Sequence, residues 1–375
     1  MSLLVFPPRE FEGRLERIRQ EMSRRGLDSL ILTRPQNIYY ATGYRGAQLA
    51  SIVSQLLCVV IPAKGEPRFM TRKLEEETAK TQLTKDPKLY MDHEDPFNLL
   101  ASIVKESRNE SGRLGVEFGF LTVRQFERFR KVIPNANFAD ATGLVEGIRA
   151  IPTEAESECI RRAAKVTNVG FQKGVEVSHE GVYPYEIVGE VHRAMYAAGQ
   201  SDFDTSFVAV WSGPKGGLMH DTNATLKIRK ADIITLEVHG VDRMYKTVAQ
   251  GSLYVGGKPP DRLAEEYDLA MRMYYKGRDV IKPGAKAEEV YDAANSIHRK
   301  ATGRDYHRRI GGSVGLGVFD INFVPGSQDV LKPGVGLLVQ PVLNDPVLIA
   351  CVGTVMVTED GVEELTKPSS QFTVV

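Results

Sequence analysis

Lys230-Ala231-Asp232-Ile233-Ile234-Thr235-Leu236-Glu237-Val238-His239-Gly240 opens on a charged turn and closes on a glycine, with an apolar, β-branched run between. Such a run, bounded by turn residues, predicts a strand over 233–238. Glu237 and His239 lie two residues apart on it. Successive side chains along a strand alternate between its faces, so these two share one face as a candidate acid–base pair. Upstream stand Ser212-Gly213-Pro214 and His220; downstream stands Tyr245, followed by Lys246.

Outward from this segment the pattern is helices in pairs, each pair followed by strands. Thr153 and Glu156 fit the N-cap and third position of a capping box opening a helix to about residue 177. A second helix is predicted over 185–198 and a strand over 207–210. After the central strand come a strand over 252–255, helices over 261–280 and 287–301, and strand-like runs at 335–339, 347–352 and 354–357. Two such sets predict a pseudo-symmetric α+β domain over 151–375. The pattern changes near residues 147–153, where the domain boundary is placed.

In residues 1–150 helix and strand alternate. A helix is predicted over 10–25, with apolar Phe11, Leu15, Ile18 and Met22, then a strand over 27–33 broken by Pro35. Strands over 52–61 and 65–70, a helix over 74–81, a strand near 89–91, a helix over 96–107 and a strand over 114–117 follow. This is an α/β, Rossmann-like layer domain. No GxGxxG follows its first strand, so dinucleotide binding is not expected.

The chain has 375 residues, long enough for two domains of ordinary size. Lysine plus arginine equals aspartate plus glutamate, 48 against 48, which offers neither a phosphate track for nucleic acid nor attraction to an anionic membrane surface. Cys58, Cys159 and Cys351 are far apart and read as buried, reduced thiols. The start of the chain meets Pro7-Pro8 with no basic region before it, and no run of about 18 apolar residues occurs. The expected location is cytoplasmic.

The order Ser212-Gly213-Pro214, His220, 230–240, Tyr245, then Ile281-Lys282-Pro283-Gly284-Ala285, Gly315-Leu316, Leu331-Lys332-Pro333-Gly334 and Val357-Thr358-Glu359-Asp360-Gly361 resembles the pita-bread family. That family includes methionine aminopeptidase, aminopeptidase P, prolidase, creatinase and ectoine hydrolase. The likeness extends to Asn37-Ile38-Tyr39-Tyr40-Ala41-Thr42-Gly43-Tyr44, and implies a creatinase-type N-terminal domain and a pita-bread C-terminal domain. The family's peptidases hold two metal ions with two aspartates, a histidine and two glutamates, the oxygen-rich set that a hard divalent pair requires. Matched to those positions, this chain has Glu237, Val248, Gly312, Gln340 and Val352. One carboxylate and one neutral amide do not neutralise two divalent cations, so no metal and no other cofactor is expected.

Within the resemblance, His220 matches the histidine that transfers protons in creatinase, and imidazole chemistry suits that task near neutral pH. Glu237 and His239 would polarise substrate or water; Glu237 in a plain salt bridge to Arg243 or Lys246 is the competing reading. Arg309, in Asp305-Tyr306-His307-Arg308-Arg309, is the candidate clamp for a substrate carboxylate, with Gln340 at the same end. Tyr245, Asp320 and Phe319 are further candidate pocket residues. Tyr44, Arg45 and Gln48 match a loop that reaches the partner subunit's pocket in creatinase-like dimers, so a homodimer is implied. The expected activity is metal-independent hydrolysis of a non-peptide C–N bond, in an amidine, guanidine or amide of a small, amino-acid-derived metabolite. The stretch Val248-Ala249-Gln250-Gly251-Ser252 stands where creatinase has Ala-Leu-Glu-Arg-Thr, which speaks against creatine as substrate. Ring closure or elimination, a non-catalytic binding role, and a metal-dependent Xaa-Pro peptidase remain as alternatives.

Overall fold

The computed structural model describes residues 4–46, 56–82, 86–201, 206–221, 225–344 and 346–375. Two compact units divide the chain, Met1–Arg149 and Ala150–Val375.

The first unit begins with α1 (Pro8–Arg24), which buries Phe11, Ile18 and Met22. Arg14 is buried on the same helix, its guanidinium 4.5 Å from the Phe6 ring centre and 4.8 Å from that of Tyr40. β1 (Ser29–Leu32) leads into α2 (Pro35–Thr42). Pro35 therefore starts a helix as well as ending a strand, because the first helical position needs no N–H. The buried Glu117 carboxylate accepts the backbone N–H groups of Thr33 and Arg34 at this entry, at 2.5 and 2.8 Å. There follow β2 (Cys58–Pro62), β3 (Arg68–Arg72), α3 (Glu76–Gln82), β4 (Lys88–Tyr90), α4 (Pro96–Glu106), β5 (Arg113–Val116), α5 (Val123–Val132), β6 (Asn137–Asp140) and α6 (Leu144–Arg149). The strands form one sheet in the order β4-β3-β2-β1-β5-β6. Its β1–β2 and β2–β3 pairs are antiparallel and its other pairs parallel.

The second unit opens with α7 (Glu154–Val177), where Thr153 and Glu156 make the expected capping box, and α8 (Pro184–Ala197). β7 (Phe207–Gly213), β8 (Ile233–Asp242) and β9 (Tyr245–Tyr254) come next, then α9 (Asp261–Arg278) and α10 (Ala287–Thr302). The remainder is β10 (Gly311–Val314), β11 (Val318–Asn322), β12 (Gly336–Val339), β13 (Val342–Leu343), β14 (Ile349–Val357), β15 (Val362–Glu364) and β16 (Thr373–Val374). The sheet runs β11-β10-β12-β14-β9-β8-β7.

Several strands differ in extent from expectation, β9 and β14 most. The run at 252–255 is the end of the ten-residue β9, and the runs at 347–352 and 354–357 are one strand, β14. β8 and β9 join through Arg243 and Met244, both with positive φ (51° and 68°). Residues with a Cβ seldom adopt that conformation, so nothing in the sequence marks the hairpin turn.

Alternation fixes which face carries what. Gly174 lies against Leu236, Gly170 against Val238, and the Thr167 hydroxyl meets that of Thr247 at 2.7 Å, so α7 covers those residues of β8 and β9. Tyr267, Met271, Tyr274, Val290 and Ala294 of α9 and α10 share a core with Leu337, Val339, Cys351 and Val355. The helices thus occupy one face of the sheet. Glu237, His239, Val248, Gln250, Val352 and Leu338 belong to the other.

Candidate active site

On that second face, His239 Nε2 and Glu237 Oε1 are 2.7 Å apart, with side chains 17% and 13% exposed. A carboxylate oxygen accepts, so Nε2 donates in this bond and Nδ1 is the ring nitrogen left outside it. The Phe207 ring packs edge-on against the imidazole, with centres 5.2 Å apart, from the neighbouring strand. The pair is therefore held by strand register on one side and an aromatic wall on the other. The structure brings Glu237 to His239, while the expected competitors lie elsewhere: Arg243 is in the hairpin turn and Lys246 faces Val241 across the ladder.

Register places Gln250 directly opposite Glu237 on β9, and Val352 of β14 opposite Gln250 on its other side. Gln250 is 1% exposed, and neither its Oε1 nor its Nε2 has a hydrogen-bond partner. A buried amide left in this way costs about 1–3 kcal/mol unless a ligand group completes it. Gln250 received no role from sequence. The available signal was positional: it lies two residues beyond Val248, hence on the same face, within a stretch already compared with creatinase.

The positions matched to metal ligands do not fit a dinuclear centre. Val248 packs with Val314, Leu338, Val318 and Phe319, and Val352 packs with Val342, Leu348, Ala350 and Met219. A Cβ at Gly312 would collide with the Ile321 carbonyl oxygen and lie 2.9 Å from Phe319 Cδ1, so a histidine there would require the chain to move. Gln340 is half-buried, and its backbone N–H donates to Ile310 O at 2.6 Å. Among the described residues no group of three or more His, Cys, Asp or Glu is placed to hold a metal ion. Apolar packing occupies what the donor set would need.

The remaining candidates scatter. His220 is exposed on the loop after β7, has a φ of 67°, and meets the Trp211 ring edge-on at 5.9 Å. Trp211 lies opposite Thr235, two residues from Glu237 along the same face, so His220 belongs to the same side of the sheet. Arg309 is exposed, its guanidinium 3.7 Å from the centre of the Phe319 ring; Phe319 itself has a φ of 63°. Partial desolvation of the guanidinium, with the Arg308 charge adjacent, lowers the Arg309 pKa. Asp320 is half-buried on β11 and His307 is exposed. Lys246 is half-buried, and burial pushes its amine below the ordinary lysine value.

Two residues expected in a pocket are used elsewhere. Tyr245 is 2% exposed and donates its hydroxyl to Glu156 of the α7 capping box, because its side chain points to the helix face of β9. Tyr44 is fully buried in its own unit, with its ring against Phe69 and its hydroxyl donated to Glu75 at 3.2 Å. Arg45 is half-buried beside it, its backbone N–H on Gln82 Oε1, and Gln48 lies outside the described residues.

Among the described residues no helix is long and apolar enough to cross a membrane. Residues 14–151 match the creatinase/prolidase N-terminal domain, and residues 158–362 match metallopeptidase family M24. The chain is 28% identical, over 389 residues, to an uncharacterized hydrolase/peptidase of Sinorhizobium fredii, spanning 99% of this chain and 98% of that protein. It is 25% identical over 389 residues to ectoine hydrolase of Halomonas elongata, spanning 96% of each. The Xaa-Pro dipeptidase from Bacillus anthracis has the same fold, with a TM-score of 0.83 at 24% identity over 97% of this chain and 100% of that one.

Proposed function

Because the chain belongs to metallopeptidase family M24 and carries that family's creatinase/prolidase N-terminal domain, we propose that it hydrolyses a non-peptide C–N bond of a small, amino-acid-derived metabolite without a metal pair. The observation that carries this reading is the Glu237–His239 contact at 2.7 Å, at the position of a family metal ligand, beside valines packed into apolar clusters. Likeness to ectoine hydrolase over nearly the whole chain supports the C–N bond as the reacting group.

The chemistry follows from the pair. Glu237 accepts the Nε2 proton of His239 and stabilises the imidazolium that forms when Nδ1 takes a proton from water. The water oxygen bonds to the amidine or amide carbon and the C–N bond breaks. A proton from His220 goes to the leaving nitrogen, so the two histidines together return to their starting charge once the proton passes between them. The Gln250 amide, opposite Glu237, holds the polar atoms of the reacting group.

The test is turnover by purified, chelator-treated protein of known metal content over cyclic amidines, guanidino acids and N-acyl amino acids. The expected result is hydrolysis of one class at a rate indifferent to chelator and lost in Glu237→Gln. Cleavage of an Xaa-Pro dipeptide that depends on added divalent metal would overturn it, as would ligand binding with no turnover.

A further inference from the structure

Gln250 lies on the open face of the sheet with both ends of its amide unused. It is 1% exposed, and neither Oε1 nor Nε2 has a hydrogen-bond partner. Its neighbours on that face explain why. Glu237, directly across on β8, is engaged with His239. Val352, across on β14, and Val248, two residues back along β9, each belong to an apolar cluster. A carboxamide presents one acceptor and one donor side by side along a single edge. Among valines that edge is complete only when a ligand offers the opposite pair, a donor facing Oε1 and an acceptor facing Nε2.

We propose that Gln250 selects an amide whose N–H and C=O lie on the same edge, as a lactam ring or a primary amide presents them. Other small C–N compounds fail on the match of donors to acceptors. A guanidinium or amidinium offers donors alone, so Nε2 would be left facing another N–H. An open-chain N-acyl group is trans, with its N–H and C=O pointing opposite ways, so one carboxamide reaches only one of them. A small ring holds the amide cis and turns both toward Gln250. Nε2 then donates to the carbonyl oxygen, and this bond strengthens as that oxygen gains negative charge when water adds to the carbon. For a lactam the C–N bond breaks with the hydroxyl kept on carbon and the proton placed on nitrogen, so one product carries both a carboxylate and an amine. This rests on the function proposed above and narrows its reacting group, but its test reads binding and not turnover.

The test uses the full chain and small probes of similar size: 2-piperidone, pentanamide, N-ethylpropanamide, N-methyl-2-piperidone and 2-iminopiperidine, by calorimetry and ligand-observed NMR. The expected result is that 2-piperidone and pentanamide bind the wild type at least about 10-fold tighter than the other three, the effect of a hydrogen bond gained by a buried group. Gln250→Leu levels the series, and Gln250→Glu reverses it in favour of the cation 2-iminopiperidine. Between the two amides, tighter 2-piperidone assigns the ring and tighter pentanamide the open primary amide. A wild type that does not distinguish 2-piperidone from N-methyl-2-piperidone, or that prefers 2-iminopiperidine, would overturn the proposal without any variant having to fold. So would a preference that survives Gln250→Leu. The expected binding order with no compound hydrolysed would count against the proposed reaction and leave the role of Gln250 standing; metal-free hydrolysis of an amidine without that order would do the reverse.

Discussion

The imidazole of His239 and the carboxylate of Glu237 meet at 2.7 Å although they are next-nearest neighbours on one strand, each largely withdrawn from solvent. Residues at that spacing share a face, and the Phe207 ring leaves the imidazole little room to turn away. Glu237→Gln replaces an acceptor-only group by one that also donates. The expected effect is a loss in kcat of about 10²–10⁴-fold, the usual contribution of positioned acid–base groups, with the melting temperature nearly unchanged. Measuring kcat and melting temperature on the same preparation checks it; a variant with wild-type kcat would remove Glu237 from the mechanism.

Gln250 poses the opposite combination of stability and function. Its amide is buried with both polar atoms unpartnered, so the ligand-free protein carries an unfavourable group. Gln250→Leu is expected to raise stability by about 1–3 kcal/mol and to raise KM for the substrate class identified by turnover at least 10-fold. Urea denaturation and steady-state kinetics read the two effects. A destabilised variant with unchanged KM would mean that the amide is structural.

Much of this was legible in sequence where the signal is local. The 153–156 capping box, the α1 spacing and the shared face of Glu237 and His239 depend on residues a few positions apart. What escaped depends on distant partners or on backbone geometry. Tyr245 finds Glu156, 89 residues away, and so packs toward the helices. The turn at Arg243 and Met244 has positive φ without glycine, which concealed the length of β9. The stacking of Arg309 on Phe319, ten residues away, and the unpartnered Nη1 of Arg308 likewise depend on contacts that adjacency in sequence does not show.

The buried carboxylate of Glu117 should give the N-terminal unit an unusual pH response. Burial raises its pKa above the ordinary 4.5, despite hydrogen bonds from Thr33, Arg34 and Asn37, and Glu146 nearby adds to the rise. The folded state therefore binds this proton more tightly than the unfolded chain. Its stabilising effect is fully present below the unfolded value and is lost as pH rises through the folded one. Glu146 itself is lowered, burial being outweighed by hydrogen bonds and by Arg149 and Arg34, so its contribution is lost on the acid side instead. Urea titrations across pH 4.5 and upward should show stability falling less steeply in Glu117→Gln than in the wild type. An identical slope would show that Glu117 binds no extra proton on folding.

Lys246 is the last group whose charge is at odds with its place. It is half-buried on the face that carries Val248 and Gln250, and its pKa is lowered by burial. Desolvation disfavours the ammonium, and among the described residues no carboxylate forms an ion pair with it. The folded amine thus gives up its proton at a lower pH than the unfolded one, whose ordinary value is 10.5. Below the folded value the whole cost of holding the cation is present; as pH rises from there toward 10.5 the cost disappears. Lys246→Met keeps the stem and removes the charge, so it should stabilise the protein by about 1 kcal/mol near pH 7, with the gain shrinking at higher pH. Denaturation curves for both proteins at pH 7 and above 9 measure this. If the variant is less stable at pH 7, the ammonium is compensated in solution and its burial is not a net cost.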